Sequence, residues 1–425
     1  MFDLNNATLK KILLVEDDRF FGGMLLRNFA KESDFEIVWA QSLSESREIM
    51  ASGKHDFFAA VLDFNLPDAP QGEIIPFVLE QQIPVVVFTA SSDIEIREKV
   101  WSYNVVDYIF KDDANSIEYL LSIIRRLENN LQNQVLVVDD SSFFRKVLVD
   151  LLKTHLFQVF SATNGKEALD LIDESPNLKL VITDFEMPEM DGLELTRKLR
   201  QRYHRDQLAI IGISAAGDKL AAANFIKNGA NDFIIKQNFI TEEFYSRVTQ
   251  NIENIERSQM IFEMSIKDHL TGLYNRLYLF DSGNKFLARA RRQKTTMVCA
   301  MFDIDFFKKV NDNYGHDAGD LVLRNLAELM LTSFRTTDIV ARFGGEEFCV
   351  LAVDLDAGSA LKLFEKLREK VAATSFITEK GETLSVTISV GVCVNLADSL
   401  EQMIKVADER LYKAKNSGRN QVVMN

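Results

Sequence analysis

The chain is short of cysteine, of proline and of long apolar runs. Its 425 residues include three cysteines and six prolines. Cys299, Cys349 and Cys393 are too few and too scattered for a disulfide framework or a zinc cluster. Each lies inside an apolar run, which predicts buried core thiols. So little proline, with 47% hydrophobic and 26% charged residues, excludes a collagen-like or disordered chain. No apolar run approaches the roughly 18 residues of a membrane-spanning helix. The longest, such as Met297–Phe302 and Pro84–Phe88, are strand-sized. The opening segment, MFDLNNATLKK, lacks the basic-then-apolar order of a secretion signal. These absences predict a soluble, cytoplasmic protein with no membrane insertion. At roughly 100–200 residues per domain, the length predicts two to four domains.

Positive charge is also in deficit: 49 Lys and Arg against 63 Asp and Glu leave a net charge of −14. A broad nucleic-acid footprint needs clustered positive charge, so nucleic acid is excluded as a partner. Nucleotide binding is not, because a metal ion neutralises phosphate beside acidic side chains.

The chain is written partly twice. KKILLVEDDRFF returns as NQVLVVDDSSFF, AAVLDFNLPD as LVITDFEMPE, VVVFTA as AIIGISA, and DYIFK as DFIIK. Paired positions lie 121 residues apart (Asp63 to Asp184) to 125 apart (Lys111 to Lys236). One unit of about 120 residues is therefore repeated, which is not a short-period solenoid. Within each unit, strand-like runs alternate with helical patterns such as Ser142–Thr154 and Gly165–Glu174. That alternation predicts a parallel sheet with helices on both faces. Side chains at the carboxyl ends of its strands then converge on one crevice. Unit one supplies Glu16, Asp17, Asp63, Thr89 and Lys111 there; unit two supplies Asp139, Asp140, Asp184, Ser214 and Lys236. Three carboxylates at one crevice repel unless a divalent cation intervenes, and hard oxygen ligands suit Mg²⁺. A carboxylate so placed can attack a phosphoryl group, with the hydroxyl and the ammonium holding the phosphoryl oxygens.

Each unit resembles a response-regulator receiver domain, a doubly wound, flavodoxin-like α/β fold, over 8–129 and 132–255. The resemblance implies phosphoryl transfer from a histidine kinase or phosphotransfer protein to Asp63 or Asp184. The acidic pairs Glu16/Asp17 and Asp139/Asp140 would hold one Mg²⁺ per receiver, and Tyr108 and Phe233 match the family's switch aromatic. Two departures stand out. Asp112 and Gln237 follow the lysines where the family has proline, and unit one carries one more residue between Asp63 and Gly72 than unit two between Asp184 and Gly192. One unit acting as a non-phosphorylated dimerisation adaptor stays open.

Over 241–267 a helical stalk is expected. Phe244, Val248, Ile252, Ile255, Gln259, Phe262 and Ile266 are spaced 4, 4, 3, 4, 3 and 4. This approximates a heptad seam and suggests a dimer stalk, the alternative being an amphipathic helix packed on its own domain.

Residues 268–425 open with Asp268-His269-Leu270-Thr271-Gly272-Leu273-Tyr274-Asn275-Arg276. A strand-like run, Met297–Asp303, leads into IDFFKKVNDNYGHDAGD. Two further runs, Asp338–Phe343 and Phe348–Val353, flank Gly344-Gly345-Glu346-Glu347. Glycines there suit a four-residue hairpin turn. The turn leaves unexplained two glutamates at its tip with Asp303 ending a neighbouring run. In an antiparallel sheet these acids share a site, and two Mg²⁺ ions there would suit in-line displacement at phosphorus. The glycines would let a triphosphate approach the backbone. Phe306 and Phe307 read as core or as backbone donors.

These strings resemble a GGDEF domain, the diguanylate cyclase family, in its GGEEF form. The resemblance implies condensation of two GTP into cyclic di-GMP and two pyrophosphates by an α+β domain with a mainly antiparallel sheet. Carried over by motif, Asp303, the Ile304 carbonyl, Glu346 and Glu347 hold metal. Glu346 helps deprotonate the 3′-hydroxyl, Lys308 stabilises the transition state, and Lys415 and Arg419 hold terminal phosphates. Asn311 and Asp320 read guanine, with His316 beside the nucleoside and Gly344 and Gly345 against the phosphates. A carboxylate acceptor matches guanine's N1 and N2 donors and repels adenine's N1. Arg335-Thr336-Thr337-Asp338 matches the family's product-inhibition site, where Arg335 and Asp338 would bind cyclic di-GMP; an ordinary surface ion pair is the other reading. Each GTP must present its 3′-hydroxyl to the other's α-phosphate, so a homodimer completes the site. Two other classes compete: a catalytically silent receiver array sensing GTP or cyclic di-GMP, and a transcription regulator. No helix-turn-helix pattern supports the latter.

Overall fold

The computed structural model describes residues 9–32, 34–112, 114–215, 219–378 and 381–425. The expected domain start at residue 8, and most of the opening segment read for a leader, lie outside the described residues. The chain divides into two compact units, one ending at Gln259 and the other running Met260–Asn425.

The first unit holds both repeats. Repeat one runs β1 (Lys10–Val15), α1 (Arg19–Phe29), β2 (Phe35–Ala40), α2 (Leu43–Ala51), β3 (Phe57–Leu62), α3 (Ile74–Leu79), β4 (Val85–Thr89), α4 (Ile94–Trp101), β5 (Asp107–Phe110) and α5 (Ala114–Asn130). Its five parallel strands take the order β2-β1-β3-β4-β5. Repeat two runs β6 (Gln134–Val138), α6 (Ser142–Thr154), β7 (Gln158–Ala162), α7 (Gly165–Asp173), β8 (Leu178–Asp184), α8 (Gly192–Arg200), β9 (Ala209–Ser214), α9 (Lys219–Lys227), β10 (Asp232–Ile235) and α10 (Thr241–Ile266). Its order, β7-β6-β8-β9-β10, is the same topology. Strand order reverses beside the first strand of each sheet, which opens a crevice at the carboxyl ends.

Period-two alternation explains why the strands read as continuous apolar runs. Leu13, Val15, Leu62, Val85 and Val87 face one helical layer, while Ile12, Leu14, Val61, Val86 and Phe88 face the other. The second repeat divides the same way, Val135, Val137 and Ile182 against Leu136, Val138 and Val181. Helix starts are set by short polar side chains. Asp18 accepts from the Phe20 and Phe21 amides, and Ser141 from the Phe144 amide. Asp68, in the longer loop of repeat one, accepts from the Leu43 and Ser44 amides at 2.9 and 2.8 Å and so caps α2.

The expected helical stretch is present, and its first half takes the packed alternative. Helix α10 is continuous, but Phe244, Val248, Ile252 and Ile255 of the expected seam are buried in the core of repeat two. They pack there because α10 is the fifth helix of that repeat. Only its last turns, with Met260, Ile261, Phe262 and Met264, expose apolar side chains.

The second unit contains α11 (Arg276–Gln293), β11 (Met297–Ile304), α12 (Phe307–Tyr314), α13 (His316–Ser333), β12 (Ile339–Gly344), β13 (Glu347–Val353), α14 (Ala357–Ala373), β14 (Phe376–Ile377), β15 (Thr383–Leu384), β16 (Ile388–Cys393), α15 (Leu400–Asn416) and β17 (Val422–Val423). Its main sheet has the order β12-β13-β11-β16-β17, antiparallel except between β16 and β17. The three cysteines are free and buried, as expected. At Gly391 of β16, a Cβ would lie 2.1 Å from the Ala407 carbonyl oxygen and the Leu411 nitrogen, so only glycine lets α15 lie this close. Among the described residues no helix is long and apolar enough to cross a membrane.

Candidate functional site

Two acidic crevices sit where the topology predicts. Carboxylate oxygens of Glu16, Asp17 and Asp63 lie within 4.8 Å of one another, and so do those of Asp139, Asp140 and Asp184. Lys111 Nζ is 2.6 Å from both Glu16 Oε2 and Asp63 Oδ2. Lys236 Nζ is 2.7 Å from both Asp139 Oδ2 and Asp184 Oδ2. Burial pushes the Glu16 carboxyl up to about 7 against the pull of Lys111, and raises Asp184 as well. In each crevice three carboxylates face one ammonium. Two negative charges remain, which a single divalent cation balances, and an all-oxygen donor set fits Mg²⁺. Thr89 and Ser214 are buried at the ends of β4 and β9. Tyr108 turns inward, its hydroxyl donating to the Ser91 carbonyl, and Phe233 packs 5.8 Å from Phe225.

The third acidic site is in the second unit. Strands β11 and β13 pair with Asp303 opposite Glu347, so the two carboxylates are register partners. Gly344 pairs with Glu347, which leaves a two-residue turn, Gly345-Glu346, tighter than the four residues expected. Gly345 has φ +53°, a conformation that favours glycine. Lys415 reaches in from α15, its Nζ 2.6 Å from Asp303 Oδ2. Asp303, Glu346 and Glu347 are all held above the ordinary carboxylate range, first by burial and then, for the two glutamates, by the Asp303 charge. The three acids do not close to the 4.8 Å spacing of the other two groups. Again three carboxylates stand against one ammonium, so hard divalent cations fit the excess charge and the donor set.

The remaining predicted residues lie at the end of β11, on α12 and α13, and just before β12. Ile304 ends β11. Lys308 is exposed in the first turn of α12, and Asn311 lies one turn on, half-buried. His316 is the exposed first residue of α13, and Asp320 follows one turn later, half-buried. A Cβ at Gly319 would meet Asn311 Oδ1 at 2.0 Å, so this glycine lets α12 and α13 close up beside Asn311. Phe307 is buried as expected, but Phe306 is not core. It has φ +58° and is 52% exposed, with the Arg419 guanidinium 4.3 Å and Lys309 Nζ 4.6 Å from its ring. Arg335 is exposed, and its backbone N–H donates to Asp338 Oδ2 at 3.0 Å. The Asp338 carboxylate therefore closes a local turn.

Three supporting residues were missed in the sequence. Buried Asp305 accepts from Thr387 Oγ1 at 2.7 Å, Ser389 Oγ at 2.6 Å and the Asn420 amide at 3.0 Å. It pins the loop that carries Arg419 to the sheet. Its place two residues after Asp303, just past the end of β11, was the one signal available. Arg342 donates to the Gly345 carbonyl through Nε (3.0 Å) and Nη2 (2.8 Å), and to Asp268 Oδ1 through Nη1 (3.1 Å). The opening Asp268–Arg276 string thus braces the hairpin tip. Asn275 caps α11 and donates through Nδ2 to the Ser265 carbonyl at 2.6 Å, which fastens the end of α10.

Comparisons with known proteins place these sites in a family. A model described as "Response regulator receiver domain" matches residues 12–122 and 135–248, and one described as "Diguanylate cyclase, GGDEF domain" matches 265–421. The response regulator PleD of Caulobacter vibrioides is 32% identical over 317 residues, 69% of this chain and 66% of that protein. The chain thus spans just under two thirds of that relative's length. The diguanylate cyclase DgcP of Pseudomonas aeruginosa is 41% identical over 163 residues, 38% of this chain and 24% of that protein. A solved two-component response regulator/GGDEF domain protein superposes with a TM-score of 0.51 at 39% identity, covering 58% of this chain and 99% of that one.

Proposed function

The chain belongs to the response regulators, with two receiver domains and a C-terminal GGDEF domain, and on that premise we propose that it is a phosphorylation-controlled diguanylate cyclase. The reading is carried by one juxtaposition: Asp303 opposite Glu347 on adjoining strands, with Glu346 at the glycine turn between β12 and β13. Two GTP molecules react. The 3′-oxygen of each forms a bond to the α-phosphorus of the other, each α–β phosphoanhydride bond breaks, and two pyrophosphates leave with the two 3′-hydroxyl protons released.

Asp303, Glu346, Glu347 and the Ile304 carbonyl would hold two Mg²⁺, which neutralise the triphosphate and polarise the α-phosphoryl group. The chain's own residues do the rest. Desolvation, with the Asp303 charge second, raises Glu346 above its ordinary value, which strengthens it as a base towards a hydroxyl. Lys308 stands free at the surface to meet charge developing on the α-phosphoryl oxygens. Lys415 and Arg419, from α15 and the loop after it, bind terminal phosphates. Asn311 and Asp320 accept from guanine, with His316 beside the nucleoside. One module holds half of the reactants, so a homodimer completes the site.

In the receivers, Asp63 and Asp184 accept a phosphoryl group from a histidine kinase or phosphotransfer protein. Glu16 and Asp17, and Asp139 and Asp140, would each hold one Mg²⁺. Thr89 with Lys111, and Ser214 with Lys236, bind the phosphoryl oxygens, and Tyr108 and Phe233 report occupancy. Arg335, exposed beside its turn, is the site of product inhibition with Asp338.

The test is nucleotide turnover by the full chain with Mg²⁺. GTP but not ATP gives cyclic dinucleotide, turnover per chain rises with protein concentration and with beryllofluoride, and Glu346→Ala abolishes it. Unchanged turnover in Glu346→Ala would refute the assignment and favour a binding protein instead.

A further inference from the structure

An aromatic contact chain leads away from the second acidic crevice. Lys236 Nζ lies 4.8 Å from the centroid of the Phe144 ring. Phe144 stands edge-on to Phe239 at 5.5 Å and 86°. Phe239 packs 5.3 Å from Phe244, and Phe244 5.7 Å from Tyr245. Tyr245 then touches His155 at 3.7 Å and Trp101 at 6.2 Å, the latter on α4 of the first receiver. Phe239 follows the 3₁₀ turn Lys236–Asn238, where Gln237 replaces the family's proline, and Phe244 and Tyr245 form the first turn of α10.

The first receiver starts the same way and stops. Phe21 and Phe88 lie 5.2 and 5.5 Å from Lys111 Nζ, but the ring packed on Phe21 is the exposed Phe20. Among the described ring contacts none leads from there to α5. The extended chain belongs to the receiver whose fifth helix runs on to Ile266.

We propose that Phe144 and Phe239 are positioning residues that carry the charge state of the second crevice to the start of α10 and, through Tyr245, to Trp101. The proposal rests on Asp184 being a phosphoacceptor. A phosphoryl group there replaces the carboxylate's single negative charge with close to two, and its oxygens compete with Asp139 for the Lys236 ammonium. Moving Lys236 changes its contact with the Phe144 ring, an attraction that falls off with distance from the ring face. Close-packed rings do not slide independently, so Phe239 and Phe244 must follow.

Intrinsic fluorescence tests this, because the chain has only two tryptophans, Trp39 and Trp101. In full-length Asp63→Asn protein, where Trp39 sits in a receiver that binds no phosphoryl mimic, beryllofluoride should change tryptophan emission. The change should vanish in Asp63→Asn/Asp184→Asn and in Asp63→Asn/Trp101→Phe. Phe144→Leu and Phe239→Leu should abolish it, and bring activation by beryllofluoride down towards one-fold, while ¹⁹F NMR still detects the bound mimic. Phe239→Tyr should restore both. If either leucine variant fails to fold by circular dichroism, the methionine variant at that position replaces it. An emission change that survives both substitutions overturns the proposal, as does a bound mimic in Asp63→Asn protein that leaves emission untouched. No ¹⁹F signal from Asp184 would instead remove the phosphoacceptor reading, and the proposal with it.

Discussion

Asp305 offers the sharpest test of how the proposed cyclase site is held together. Its carboxylate is 5% exposed and accepts three bonds, from Thr387, Ser389 and the Asn420 amide. Asp305→Ala leaves all three donors without an acceptor, and Ser389 is completely buried. A bond to a charged group contributes about 1.5–3 kcal/mol, and stranding a buried donor costs about 1–3 kcal/mol. With partial rescue by water at Thr387 and Asn420, the net loss is about 3–5 kcal/mol. For a domain of this size that lowers its melting transition by about 6–20 °C. Asp305→Asn behaves differently. Its oxygen can serve Thr387 and Asn420 while its amide donates to the Ser389 hydroxyl, so only charge is lost, about 1–2 kcal/mol. Calorimetry of the full chain, with hydrogen exchange at the Asn420 amide, reads both the global and the local effect. GTP affinity should fall with Asn420 protection, because Arg419 rides on the same loop. An Asp305→Ala protein that melts within about 2 °C of wild type with Asn420 still protected would refute the reasoning.

Three further outcomes are expected. Gly391→Ala forces a Cβ to within 2.1 Å of backbone atoms of α15, which cannot rotate away; it should cost more than about 3 kcal/mol and give insoluble or unfolded protein. Burial raises Asp107 to about 6, with Tyr119, Arg97 and Glu242 as its facing groups. The folded state then binds more protons than the unfolded one between about pH 4 and 6. Stability of the first unit therefore falls as pH rises through that window, by about 1–3 kcal/mol, and Asp107→Asn should flatten the slope in pH-dependent denaturation. Asp303, Glu346 and Glu347 are also raised in the metal-free chain, so protons should compete with Mg²⁺ binding there already above the ordinary carboxylate range of about 4, read by Mg²⁺ titration against pH. Competition only at or below that range counts against their grouping.

Much of this architecture was legible from period and repetition. Writing the same five crevice residue types twice identified each sheet's carboxyl edge, and both acid triads close there. Helix α6 was readable to the residue because its apolar stripe begins right after a capping serine. The partner of the 241–267 helix stayed open because a heptad seam and the buried face of an ordinary α/β helix share the same 3-4 spacing. Only knowing what lies opposite Phe244 and Val248 separates the two. Phe306 escaped because a hydrophobic letter carries no record of a left-handed backbone, and Arg342 because its partners, Asp268 and Gly345, are remote or backbone. Long-range polar bracing of this kind has no period to detect.

Lys111, Lys236 and Lys415 each place an ammonium 2.6–2.7 Å from a carboxylate that would otherwise wait for a cation. The acidic pockets thus come with a tethered counter-ion, which restrains their self-repulsion while the chain is being made. Zinc fingers, by contrast, collapse when their metal is withdrawn. Here a chelator should silence phosphoryl chemistry and leave every domain standing.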